Sequence, residues 1–230
     1  GVLAAGGLGW GARSFAREMP ELTSLDVANN DITALEELSP LSHLSQLNLT
    51  NNRVEDLAPL AAGCELRILV ADGNQLSSAA PLSACEDLYY LSLDENELTS
   101  LSGLEGLASL RTLRVDDNEI EDLSPLSGLE VEELWIRSNK LQQLDPLASV
   151  ETLQVLVITN NEVTTLSPLA NAASLHTVYG RENQLQSLEG IEANTALRLL
   201  DVRGNGAVTN LEPLTGLVAL RSLGVGGAAG

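Results

Sequence analysis

LQVLVITNNEVTTLSPLANAAS, residues 153–174, is the stretch that decides how the chain is read. Leu153, Leu156 and Ile158 are spaced as one face of a short strand, since successive strand side chains point to opposite sides. Asn161 closes the strand, and Val163, Leu166 and Leu169 follow it. The same frame returns 22 residues later at Leu175, Val178, Gly180 and Asn183, and 22 residues earlier at Val131, Leu134, Ile136 and Asn139. Extended in both directions it runs through Asn30, Asn52, Asn74, Asn96, Asn118, Asn139, Asn161, Asn183 and Asn205, every interval being 22 residues except the 21 between Asn118 and Asn139. Self-similarity at such a period predicts a solenoid, in which each repeat buries its apolar face against the next.

Within a repeat, the LxxLxL segment predicts a strand with its leucines inward. Stacking these strands predicts a parallel sheet. The asparagine falls where the chain leaves the strand, and its amide can satisfy backbone groups that the turn leaves unpaired. The later leucines fill the core from the other side on short 3₁₀ turns. Proline fits there because the start of such a turn does not need that N–H.

The frame LxxLxLxxNxLxxLxxL resembles leucine-rich repeats. The Pro-Leu pairs Pro59-Leu60, Pro81-Leu82, Pro125-Leu126, Pro146-Leu147 and Pro168-Leu169 resemble the 22-residue subclass found in internalins, a phosphatase-1 regulatory subunit and an axonemal dynein light chain. The resemblance covers residues 22–228 and implies an α/β fold: a right-handed, curved leucine-rich repeat solenoid with a parallel concave sheet and short 3₁₀ or irregular convex segments. The expected organisation is an N-terminal extension and cap over residues 1–21, then a repeat domain over 22–230 with nine full repeats and a degenerate tenth, LRSLGVGGA at 220–228.

Residues 1–11, GVLAAGGLGWG, fit no repeat and read as a poor signal-peptide remnant. The missing initiator Met points to a processed chain. Residues 12–19 are expected to form a short capping helix with Phe15, Ala16 and Met19 inward. No polar cap is visible at Gly230, so the expectation is either that the chain continues there or that the tenth repeat packs against something. Repeat six arrives one residue early, and repeat nine carries an extra residue in Asn205–Val208. Both changes fall on connections, where length is tolerated.

Hydrophobic residues make up 44% of the chain but aromatics only 3%, so leucine builds the core. A net charge of −20 argues against nucleic acid as a partner, because phosphate binding needs a basic footprint. No apolar run is long enough for a membrane span. Cys64 and Cys85 read as two buried thiols, with a disulfide between adjacent repeats as the alternative. His43 and His176 have no nucleophile at a recognisable motif, so no catalytic residue, cofactor or small-molecule substrate is expected. Asn48-Leu49-Thr50 matches a glycosylation sequon but sits within a strand, and is read as coincidence.

Strand residues between the inward leucines face outward and carry no packing demand. There the fifth position of successive repeats holds Trp135, Val157 and Tyr179, with Tyr90 two residues N-terminal to that position in its own repeat. Arg114, Arg137, Arg181 and Arg203 accompany them. The strands carry eight of the twelve basic residues, counting Arg67, Arg111, Arg198 and Arg221, and are nearly neutral on an acidic chain. Aromatics and arginine dominate interface hot spots. The expected function is therefore a non-catalytic scaffold that binds a protein partner on its concave face. The alternative is a secreted or surface adhesin, or a glycan-binding module using the Trp135/Tyr179 strip. A cytoplasmic setting is slightly favoured and a secreted or cell-surface one is left open. Asp72, Asp94 and Asp116 form a column of carboxylates expected to be solvated, with calcium or a basic partner as its functional readings.

Overall fold

The computed structural model describes residues 2–4 and 18–227. The chain divides into two compact units, Gly1–Asn118 and Glu119–Gly230. The first contains strands β1 (Val2–Ala4), β2 (Ser24–Asp26), β3 (Gln46–Asn48), β4 (Ile68–Val70), β5 (Tyr90–Ser92) and β6 (Thr112–Arg114). The second contains β7 (Glu133–Trp135), β8 (Val155–Val157), β9 (Thr177–Tyr179), β10 (Leu199–Asp201) and β11 (Ser222–Gly224). Within each unit consecutive strands pair in parallel, so each unit is a solenoid of stacked coils.

The register follows the repeat. In the first unit Leu25, Leu47, Leu69, Leu91 and Leu113 lie side by side, and each is at most 1% exposed. In the second unit Leu134, Leu156, Val178 and Leu200 do the same. Leu200 pairs with Leu223, a step of 23, so the extra residue after Asn205 is absorbed on the connection and the register survives. Leu3 pairs with Leu25 at the regular step of 22, so Val2–Ala4 extend the strand register, although residues 1–11 were expected to fit no repeat; the rest of that stretch lies outside the described residues. The capping helix expected over residues 12–19 lies mostly outside the described residues.

The asparagines do more than close their own turns. Asn118 Nδ2 donates to the carbonyls of Val115 and Asp116 in its own repeat and to Leu93 in the repeat before, at 3.0–3.2 Å. Its Oδ1 accepts the Leu98 N–H at 2.9 Å. Asn52, Asn74, Asn96, Asn161, Asn183 and Asn205 repeat this pattern and are all at most 9% exposed. Each amide therefore staples two coils through backbone groups that would otherwise be buried without partners. The residue before the asparagine sits in the left-handed region, as at Glu95 (φ 54°), Asp117 (φ 53°) and Glu182 (φ 53°), which is what turns the chain off the strand.

The opposite side is built from short 3₁₀ turns, such as Ala58–Leu60, Ser124–Leu126 and Ser167–Asn171, each with proline in its first turn. A polar side chain two residues upstream accepts the first N–H: Asp56 for Ala58, Asp122 for Ser124, Thr165 for Ser167. Gly103 and Gly190 stand where other repeats have proline, with φ of +100° and +94°. A Cβ there would come within 2.4 Å of the Ala80 or Ser167 Cα, so only glycine lets adjacent coils close up.

Cys64 and Cys85 are joined in a disulfide, with Cα atoms 5.0 Å apart. This corrects the reading of two separate thiols. Gly63 occupies the position that holds Leu41 and Leu107 in other repeats, so this coil lacks a core side chain there. Cys64 is half-buried beside the gap, and the register brings it onto fully buried Cys85 of the next coil.

Candidate binding face

In the second unit the fifth-position side chains form one row across the sheet. Trp135 is in register with Val157, Val157 with Tyr179, Tyr179 with Asp201, and Asp201 with Gly224. Trp135 and Tyr179 are half-buried, whereas Val157 is 5% exposed. The valine, expected from sequence to offer contact area, therefore exposes little surface of its own between two aromatics that expose more. Arg137 is exposed at the end of β7.

The row ends in a charged fork. Asp201 Oδ2 accepts from Arg181 Nε at 2.7 Å and from Arg203 Nη2 at 2.7 Å, and it lies 2.6 Å from Arg181 Nη2 in an ion pair. Its Oδ1 accepts from Arg203 Nε at 3.0 Å. The Asp201 side chain is 9% exposed, those of Arg181 and Arg203 42% and 52%. Asp201 was not singled out from sequence. Its signal was an acid flanked by arginine two residues on in its own strand and at the same place one repeat earlier.

The first unit carries a different arrangement. Asp72 Oδ1 accepts from the Ser92 hydroxyl at 2.6 Å and the Asp94 N–H at 3.0 Å. Asp94 Oδ1 accepts from the Asp116 N–H at 2.7 Å, and its Oδ2 takes a bidentate contact from Arg114 at 2.9 and 3.1 Å. Asp94 is 8% exposed and Asp116 fully buried. The expected solvated column is therefore wrong: Asp94 and Asp116 are buried, Asp72 and Asp94 each accept the N–H of the matching residue in the next coil, and Arg114 lies against Asp94. The calcium reading fails with it, since oxygens turned onto N–H donors do not converge on a cation; no group of three or more His, Cys, Asp or Glu among the described residues could hold a metal ion. Burial and the charge of Asp94 push the Asp72 carboxyl above its usual pKa, against the hydrogen bond from Ser92. For Arg114, burial works against the charge, but Asp94 outweighs it and holds the guanidinium above its ordinary value. Tyr90 is half-buried, in register with Ile68 and Thr112.

His43 lies 3.3 Å from Glu65 with both side chains exposed, and His176 contacts only the Thr177 hydroxyl, at 3.0 Å. No helix of the described residues is long and apolar enough to cross a membrane.

A family model described as leucine-rich repeats in two copies matches residues 20–62. Among solved structures, an internalin from Listeria monocytogenes (inlF) is 26% identical with a TM-score of 0.83, over 90% of this chain and 62% of that one. A leucine-rich repeat protein from Leptospira interrogans is 27% identical with a TM-score of 0.85, over 93% of this chain and 57% of that one. The chain thus spans about three fifths of either. A plant peptide hormone receptor, solved with its peptide, shares the fold at 21% identity and a TM-score of 0.75. No curated protein matches the chain by sequence. The chain is a leucine-rich repeat solenoid protein that resembles internalins. Folds of this kind commonly serve as protein-interaction modules and are typically non-enzymatic.

Proposed function

We propose that the chain is a non-catalytic scaffold that takes a protein partner on the strand face of its second unit. The observation that supports this is the row ending in the fork: two half-exposed aromatics, Trp135 and Tyr179, on strands that also present Arg137, Arg181 and Arg203. Rigid aromatics with adjacent arginines are what hot spots consist of. Tyr90 and Arg114 belong to the first unit; Arg114 is held by Asp94 and contributes order there before it contributes contact. The test is affinity capture with wild type, Tyr179→Ala, Trp135→Ala and the control Glu121→Ala on the opposite side. Proteins retained by wild type and Glu121→Ala should be lost with the aromatic variants. Retention by Tyr179→Ala together with loss by Glu121→Ala sinks the assignment.

A second reading is a secreted or surface module that binds carbohydrate on Trp135 and Tyr179. The Cys64–Cys85 disulfide favours the compartment half of it, because such bonds persist where the environment is oxidising. A glycan array separates the two readings. Thiol trapping on protein taken directly from its source tests the compartment: free Cys64 would exclude an oxidising one.

A further inference from the structure

We infer that Arg181 and Arg203, organised by Asp201, form an oxyanion subsite that takes a single Asp or Glu carboxylate of a bound protein segment, with an apolar side chain of that segment lying against Tyr179. This rests on the scaffold reading and specifies the partner's chemistry. The argument begins with stoichiometry. Two guanidiniums share one carboxylate, which leaves one positive charge in excess. Asp201 is filled with donors from both arginines, so it has no capacity for an incoming cation. The surplus lies on the donor side. An arginine carries five N–H groups, and each of these uses only its Nε and Nη2 on Asp201. The outer Nη1 edges belong to side chains that are 42% and 52% exposed.

The fork is also preorganised, and its arginines are half-exposed among the described residues. Charge-assisted bonds of 2.6–2.7 Å hold both planes before any ligand arrives, which lowers the ordering cost of a bidentate contact. Beside it, β11 presents no side chain at the matching position. A Cβ on Gly224 would stand 2.6 Å from Asp201 Oδ1 and 3.1 Å from Arg203 Nε, so the fork requires glycine there. Gly226, beyond it, faces open space.

Carboxylate and phosphate both fit such a fork. The protein source is favoured by the field of the whole chain. A net charge of −20 repels a polyanion such as nucleic acid, while one carboxylate beside an apolar residue meets the local excess without the long-range penalty. Tyr179, in register with Asp201, supplies the apolar neighbour.

The experiment uses the full chain, labelled with nitrogen-15, and follows the Nε–H resonances of Arg181 and Arg203. The probes are acetyl-Phe-Ala-Glu-amide and its Gln counterpart. The Glu peptide should shift both resonances saturably, about tenfold more tightly than the Gln peptide, and should weaken with salt. Arg203→Gln should remove that preference, with Arg181→Gln as the second variant should the first fold poorly. Equal binding of the two peptides overturns the oxyanion subsite and leaves the scaffold reading standing. Absence of any shift overturns it too, while loss of partner capture in Tyr179→Ala would still uphold the scaffold. A thymidine hexanucleotide that binds more tightly than the Glu peptide overturns the protein source.

Discussion

The two units use the same ion pair in opposite proportions. In the first, one arginine, Arg114, lies between two carboxylates, 2.9 Å from Asp94 and 3.9 Å from Asp116, and all three side chains are largely buried. In the second, one carboxylate, Asp201, lies between two half-exposed arginines. A buried carboxylate stripped of its cation has no water to replace it, so the first arrangement stabilises the fold. Arginines that keep contact with solvent lose little when the carboxylate goes, and their unused donors face outward. Identical backbone geometry thus supports an internal polar brace in one place and an outward-facing donor pair in the other.

This difference is broken most directly by Arg114→Ala. It should cost about 3 kcal/mol, since the buried Asp94 carboxylate loses its bidentate guanidinium. Urea denaturation measures it, and a loss no larger than that of Asp201→Asn would show that the two forks are equivalent. Asn118→Ala and Asn183→Ala should each cost about 2 kcal/mol, because both leave buried backbone groups unpaired. Their equality, read as melting midpoints, would confirm that the units share one scaffold and differ only on the strand face; a large inequality would place the difference in the scaffold itself. Asp201→Asn should cost only about 1 kcal/mol, because the released guanidiniums resolvate.

The smallest effect is that of Asp72→Asn, and its sign is opposite. Burial raises the carboxyl's pKa in the folded chain, so the folded state holds that proton more tightly than the unfolded state. Wild-type stability therefore falls as pH rises through the window between the unfolded and the folded pKa. An amide at position 72 can still accept from Ser92 and from the Asp94 N–H. Asp72→Asn should melt slightly higher than wild type at neutral pH, and the gain should vanish below the ordinary aspartate value of 3.8. A variant less stable at pH 7 would mean that the charge of Asp72 is needed by Arg114.

Much of the fold was legible because a repeat states its rule many times. The phase of Leu25 or Leu134 follows from spacing alone, and proline marked the 3₁₀ turns. Gly103 and Gly190 were not singled out from sequence, and their reason is the approach of a neighbouring coil's backbone, which no local pattern carries. The binding row was half legible. Alternation placed Trp135, Val157 and Tyr179 on one face, yet alternation says nothing about how far a side chain is exposed, and Val157 is only 5% exposed. The carboxylates failed for a related reason. Facing away from the leucines was taken to mean facing water, whereas Asp72 and Asp94 reach the N–H of the next coil and Asp94 and Asp116 are buried.

The sequence by itself determined the period, the strand register, the inward leucines and the asparagine ladder, because each depends on spacing along one chain. The tertiary structure alone decided which outward side chains are buried, that Cys64 meets Cys85, and that Asp201 gathers two arginines while Arg114 gathers two aspartates. Those outcomes depend on side chains from coils 20 or more residues apart meeting across the sheet, where length, rotamer and competition for the same N–H donors settle each contact.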